Sequence, residues 1–449
     1  MVEVIIGLFV ALYSGGMGWL QYRWDRQLLR RLQEVAKSCG LQIEKISKPF
    51  RQLHLEARDG PLTVKIRAPR WSGNYRRVIV VAIPGPPGFS NVHIRREESK
   101  PSGAHEIEIG DGPFDKAFYV LGPARLLRAL LDADTRYLLI TANTESTDLE
   151  IVHGELWIGT FQNQIGDLLP LLVDLARRLA QPLDVVQRLA DNARRDPDAG
   201  VRLHNLILLA REFPGEPATT EVLRAACTDK SPQVRMRAAK GLGAEGREIL
   251  LELAESTGDD AISAEAVSLL GRDLPVERAR ALLVQALRRR LHQTARACLE
   301  SLGHSTAAED VDTLVKVLTR EKSELAAVAA TALGMTGSPA AEPPLILALQ
   351  GAQEELQVAA ANALARVGTT ASVLPLKEAA ERAARNRDLL KATRQAIAEI
   401  HLRLPGASPG QLSLAGTEAG QLSLAPTEAG QLSLADDPAG QLSLGDEAG

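Results

Sequence analysis

One apolar position returns through the second half of this chain at near-constant spacing: Leu209, Leu242, Leu270, Leu302, Leu333, Leu364 and Ile397, at intervals of 33, 28, 32, 31, 31 and 33 residues. Such a period marks stacked supersecondary units, none of which can bury its apolar face alone. The clearest unit runs from Ser231 to Gly243 (SPQVRMRAAKGLG), with a second amphipathic helix expected over Arg247–Ala254. Glycine follows the mark in Leu242-Gly243, Leu270-Gly271, Leu302-Gly303 and Leu333-Gly334. It is expected to end the first helix of each pair in the left-handed conformation. Ala238-Ala239, Ala329-Ala330 and Ala360-Ala361 are small where neighbouring helices approach. The last unit (Leu389, Leu390, Ile397, Ile400) lacks a clear second helix and reads as a cap. The pattern predicts a mostly α protein with an α-solenoid of helix pairs over 182–404.

This unit resembles HEAT-type repeats of the short bacterial kind: a polar start, Val-Arg, two alanines, Leu-Gly, a turn, then an amphipathic helix. The resemblance covers about half of the chain. It implies an extended surface for a protein or peptide. Val-Arg occurs only at Val201-Arg202 and Val234-Arg235, while later repeats carry Leu-Ala or Leu-Gln. An arginine ladder is therefore expected to stop early. Short HEAT-like repeats also occur in chromophore lyases, but no chromophore site is evident in these residues.

Ahead of the repeats the apolar period switches to two. Segments 42–46, 52–57, 62–67, 77–83, 91–96, 105–109, 148–153 and 155–160 read as strands, with Asp59-Gly60 and Gly154 in hairpin turns. Helices are expected over 124–131, 134–140 and 165–180. The segment 40–181 is thus a small α+β domain. Its stretch Gly110-Asp111-Gly112-Pro113-Phe114-Asp115-Lys116-Ala117-Phe118-Tyr119-Val120 resembles a bacterial family of uncharacterised, often membrane-tethered proteins. They share Phe, an acid, two variable residues, Phe and a short strand, followed by a helical Leu-Leu segment. Phe114 and Phe118 are expected to fill the core, and Asp111 and Asp115 to serve the turn.

From Val4 to Leu20 no residue is charged, and Tyr22, Trp24, Arg23, Arg26, Arg30 and Arg31 follow. This reads as a short membrane anchor with the rest of the chain on the cytoplasmic side of the inner membrane. The alternatives are a soluble helix or a true start at Met17. An amphipathic helix should then run to Cys39, stopped by Gly40. Residues 1–39 form the first segment.

After Pro405 the chain becomes low in complexity. Four decapeptides each begin with Gly and carry one invariant motif: Gln411-Leu412-Ser413-Leu414, Gln421-Leu422-Ser423-Leu424, Gln431-Leu432-Ser433-Leu434 and Gln441-Leu442-Ser443-Leu444. Glycine, proline and acids separate them, so the tail 405–449 is expected to be disordered. Four copies on one string could gain avidity for a repeated partner. The motif also resembles the core of peptides that dock on the bacterial replication sliding clamp. The large residue that follows in those peptides is replaced here by Ala415, Ala425, Ala435 and Gly445.

The net charge is −4, with no strongly basic segment, which argues against a nucleic-acid partner. The three cysteines (Cys39, Cys227, Cys298) are scattered, as in a reducing compartment. His54, His93, His105 and His153 lack ligand spacing, Gly85-x-x-Gly88 lacks the Lys-Ser/Thr of a phosphate loop, and no nucleophile elbow occurs. No catalytic residue, metal or cofactor is expected. The expected function is a non-catalytic protein-interaction scaffold. The alternative is an enzyme accessory factor, whose repeats hold a protein substrate for the 40–181 domain. The candidate partner-binding residues are Arg288, Arg289 and Arg290, the densest positive run, and the four Gln-Leu-Ser-Leu motifs. A disordered tail adds no buried area. Deleting 405–449 should therefore leave the thermal unfolding midpoint unchanged, and scanning calorimetry checks this.

Overall fold

The computed structural model describes residues 27, 29–47, 53–68, 77–99, 106–160, 165–256, 258–321, 324–382, 386–403, 412–413 and 423–424. The chain divides into two compact units, Met1–Gly246 and Arg247–Gly449. The division falls within the helical region. The anchor segment 4–20 lies outside the described residues. Among the described residues no helix is long and apolar enough to cross a membrane.

In the first unit a helix over residues 29–38 (α1) buries Leu32 and Ala36 and stops at Gly40, which has a φ of 75°. Eight antiparallel strands follow: β1 Gln42–Ser47, β2 Leu53–Asp59, β3 Leu62–Ala68, β4 Arg77–Ala82, β5 His93–Arg96, β6 Phe118–Leu121, β7 Thr147–Val152 and β8 Glu155–Thr160. Their order in the sheet is β1-β2-β3-β4-β8-β7-β5-β6. Both anticipated hairpins form. Gly60 turns β2 into β3, and His153 and Gly154, both with positive φ, turn β7 into β8. The expected strand at 105–109 is not one over its described residues 106–109. The Phe118–Leu121 strand takes that edge instead, and Ile107 N–H donates to Val120 O across 2.9 Å.

Period-two alternation sends one side of this sheet inward. Val64, Ile66, Ile79, Val81, Leu149, Ile151, Leu156 and Ile158 join one core with Leu169, Leu172, Val173 and Ala176 of α5 (Ile165–Leu179). Three shorter helices complete this part: α2 Gly112–Ala117, α3 Ala124–Leu130 and α4 Ala133–Ala142. Phe114 of α2 and Phe118 of β6 are both buried, their ring centroids 5.2 Å apart. The first unit closes with α6 Val185–Arg195, α7 Ala199–Glu212, α8 Pro217–Ala226 and α9 Pro232–Leu242. In it α6 packs on α7, α7 on α9 and α8 on α9.

The second unit is helical: α10 Arg247–Glu255, α11 Asp260–Leu270, α12 Val276–Arg289, α13 His292–Leu302, α14 Ala308–Arg320, α15 Glu324–Thr336, α16 Glu342–Leu349, α17 Glu354–Val367, α18 Val373–Arg382 and α19 Arg387–Leu402. Odd-numbered helices pack side by side from α11 to α19. Each even-numbered helix from α10 to α18 packs on the odd-numbered one that follows it. The seven marks all fall on odd-numbered helices or their ends. Leu209, Leu270, Leu302, Leu333 and Leu364 are buried, while Leu242 and Ile397 are half-buried.

The glycines after the marks do not share the expected left-handed role. Gly243 and Gly271 have positive φ (58° and 50°), but with ψ near −117° and −119° they lie outside the left-handed helical region. Gly303 is right-handed helical, and Gly334 lies inside α15. Close approach explains the latter two. A Cβ on Gly303 would meet Ala332 Cα at 3.0 Å, and one on Gly334 would meet Ala363 Cα at 2.6 Å. Alanine in place of a helical glycine ordinarily stabilises by about 1 kcal/mol. Gly334→Ala should reverse that sign and destabilise by about 1–3 kcal/mol, as overpacking does. Chemical denaturation of the variant against wild type checks the sign.

Candidate functional site

A buried polar constellation lies in the first unit, where the loop before α2 meets α4, α6 and α7. Asp111 caps α2 by accepting from Phe114 N–H at 3.1 Å. Asp115 turns back to accept from Ile109 N–H and Gly110 N–H at 3.0 and 2.8 Å. These are the turn roles expected of both acids. Their wider setting was not anticipated. Arg136 of α4, only 2 % exposed, donates from Nε to Asp111 at 2.8 Å and from Nη1 to Leu131 O at 2.8 Å. It grips Asp196, at the end of α6, through two bonds of 2.9 Å each. This planar fork on a carboxylate is the geometry arginine is built for.

Around this centre the two parts of the unit interlock. The backbones of Gly110 and Gly200 touch: a Cβ on Gly110 would lie 2.5 Å from the Gly200 carbonyl carbon. No other residue fits either position. His204 Nδ1 lies 3.2 Å from Ile109 O, Arg128 donates to Glu108 O at 2.6 Å, and Asn192 donates to Arg128 O at 2.9 Å. Arg188 of α6 donates to Asp132 at 2.7 Å. Ala129 of α3 sits in the core of α6–α9, and Val201 of α7 sits in the core of the sheet.

The electrostatics follow from the contacts. Burial raises the Asp115 carboxyl, only partly offset by the two backbone N–H bonds. Burial acts the same way on Asp132, but hydrogen bonds from Thr135 and the charges of Arg178 and Arg188 win and hold it below the usual range. Burial pushes the Cys298 thiol up to about 12, so it stays protonated and inert as a nucleophile. Cys227 is half-buried against the α6–α9 core. His93 and His153, far apart in sequence, meet edge to face with centroids 5.2 Å apart, because β5 pairs with β7. Among the described residues no three of His, Cys, Asp or Glu gather as a metal would need.

Neighbouring repeats are pinned through polar side chains. Arg202 makes a bidentate pair with Asp229 at 2.8 Å, and Arg235 donates to Asp229 O. Beyond these two Val-Arg positions, carboxylates in the second unit pin neighbouring repeats by other contacts. Asp260 accepts from Gln293 N–H, Thr294 N–H and the Thr294 hydroxyl. Glu342 accepts from Thr369 N–H and the hydroxyls of Thr369 and Ser372.

The anticipated basic residues stand at one helix end. Arg288 and Arg289 are exposed in the last turn of α12, and Arg290 caps it in the left-handed conformation at φ 59°, ψ 37°. Further back along the same helix, a surface groove of about 510 Å³ is lined by Glu255, Glu277, Arg278, Ala281, Leu282 and Gln285. Of the tail motifs, the described residues are Leu412-Ser413 and Ser423-Leu424, which pair antiparallel. Gln411, Leu414, Gln421, Leu422, Gln431, Leu432, Leu434, Gln441, Leu442 and Leu444 lie outside the described residues, as does the expected disorder of the tail.

The family model of HEAT repeats matches residues 311–398. Three of the solved structures to which the chain is similar are as follows. One is the complex of CpcE and CpcF of phycocyanin lyase from Nostoc sp. PCC7120, at 19% identity and a TM-score of 0.30, covering 49% of this chain and 96% of that one. The second is human deoxyhypusine hydroxylase in complex with glycerol, at 16% identity and a TM-score of 0.21, covering 48% and 95%. The third is the mycobacterial trehalose monomycolate transport factor A, TtfA, at 17% identity and a TM-score of 0.23, covering 35% and 98%. No curated protein matches the chain.

Two predictions concern the buried centre. Arg136→Met strands the Asp196 carboxylate without its main partner and should cost about 3–5 kcal/mol, as breaking a buried pair does; denaturant titration measures it. The stability contributed by Asp132 is full above about pH 4, the unfolded value, and is lost as pH falls through its lower folded value. Asp132→Asn should therefore lower stability at neutral pH and flatten its decline toward acid, which unfolding curves across pH 2–7 would reveal.

Proposed function

We propose that this HEAT-repeat chain is a non-catalytic scaffold whose α-solenoid presents a protein-binding surface. The match over 311–398 carries the reading, because stacked repeats form extended surfaces that serve association. Within the matched range, Leu347 of α16 is 65% exposed and Leu374 of the adjoining α18 is 48% exposed. Large apolar side chains on neighbouring helices suit the centre of a protein contact. Beneath them, Leu345, Leu349 and Leu376 are fully buried and the Glu342 cap holds the turn before α18, so the presenting helices are fixed before any partner arrives.

The candidate contacts at Arg288, Arg289 and Arg290 would supply a charged rim. The uncharged run 4–20 and the arginines behind it support tethering to the cytoplasmic face of the inner membrane, a reading carried by sequence alone. The test is affinity capture from native membranes with the full chain and with Leu347→Asp/Leu374→Asp. Both sites are exposed, so the melting midpoint should stay the same while the captured partner is lost. A partner retained at wild-type level by the double variant would place the binding surface elsewhere.

A further inference from the structure

We propose that His93 and His153 form a two-imidazole site for a divalent metal ion of tetrahedral preference, zinc above all. Strand order brings them together. Ile94 of β5 registers against Ile151 of β7, and both of these side chains enter the core. Alternation therefore sends His93 to the opposite face of the sheet, where it is half-buried. His153 stands two residues beyond Ile151, in the turn to β8, and is exposed. Their ring centroids are 5.2 Å apart, with the ring planes at 74°.

That separation is the one a shared tetrahedral ion requires. With metal–nitrogen bonds of about 2.0–2.1 Å, each ring centroid lies about 3.2 Å from the metal, and the tetrahedral angle sets the two centroids about 5.2 Å apart. Ligation at right angles, as in square-planar or octahedral sites, would draw them in to about 4.5 Å. Rotation about χ2, a broad torsion in histidine, turns a ring nitrogen toward the common point and leaves the centroid almost in place. Among the described residues neither ring is held by a hydrogen bond or an ion pair. Arg95, on the same face of β5, is matched by Glu150 at 3.4 Å, so its charge does not stand unopposed beside a bound cation. The turn itself does not call for histidine. His153 and Gly154 have φ of 52° and 78°, a pair of positions that ordinarily takes Asn-Gly or Asp-Gly.

Two side chains fall short of the three that a resident centre gathers, so the other two positions of the ion stay with water. The consequence is structural. β5 meets β7 through one registered pair, whereas β7 and β8 share six. An ion held between His93 and the β7–β8 turn staples this thin seam. The inference does not rest on the scaffold reading, since the surface around Leu347 and Leu374 plays no part in it.

The test is isothermal titration of the full chain with zinc chloride, together with thermal melting with and without zinc. Wild type should bind zinc and gain in melting midpoint, because the ion favours the folded state. Losing even an outer partner of a metal ligand weakens binding about tenfold or more, so His93→Gln and His153→Asn should each cost at least that and abolish the gain. Asparagine suits the positive φ of the turn, so His153→Asn should melt as wild type does without zinc. His93→Thr, a good strand former, replaces His93→Gln if the latter melts early without zinc. His54→Asn and His304→Asn, on β2 and after α13, should bind zinc as wild type does. The proposal is overturned if wild type takes up no zinc, if only one of the two site variants weakens binding, or if the control variants weaken it as much.

Discussion

A guanidinium taken out of water is costly unless nearly every donor finds an acceptor, and Arg136 meets that condition through three separate parts of the chain. The start of α2, the turn after α3 and the end of α6 are thereby held at fixed positions about one side chain. Gly110, one residue before Asp111, touches the Gly200 backbone so closely that neither position has room for a Cβ. The exchange of Ala129 and Val201 between two cores makes the same join from the apolar side. Helices α6–α9 consequently share a compact unit with the sheet, although their sequence groups them with the repeats.

What could be read in advance was whatever repeats or alternates. The seven marks fell on odd-numbered helices or their ends because burial recurs with the repeat. The strands followed from period two, and the buried Phe114 and Phe118 from apolar size. Arg136 was invisible because Asp-Thr-Arg-Tyr looks like an ordinary solvated helix face, and its partner Asp196, just before Pro197, lies 60 residues away. The meeting of His93 and His153 is likewise set by strand order, which no local pattern records. The glycines after the marks looked alike in sequence. They divide into turn formers and close-contact sites only once the neighbouring helix is in place.

The arginine ladder illustrates a different limit. At the Val-Arg position the ladder ends with Arg235. Polar pinning of one repeat to the next goes on in the second unit with acids at other positions, which accept from the backbone and hydroxyls of the neighbouring repeat at Asp260–Thr294 and Glu342–Thr369. Burial alone would raise these carboxyls, but the donated hydrogen bonds hold both below their ordinary values. Orphan N–H groups at helix starts need acceptors whichever side chain supplies them. The need is general, while the residue that meets it varies from repeat to repeat.

The contacts of Gly303 with Ala332 and of Gly334 with Ala363 bear on the stiffness of the second unit. Leucine against leucine can yield by changing rotamer, so such an interface has some compliance. Glycine against alanine offers only backbone and a methyl group, with no torsion left to turn. These pairs therefore act as incompressible spacers between α13 and α15 and between α15 and α17.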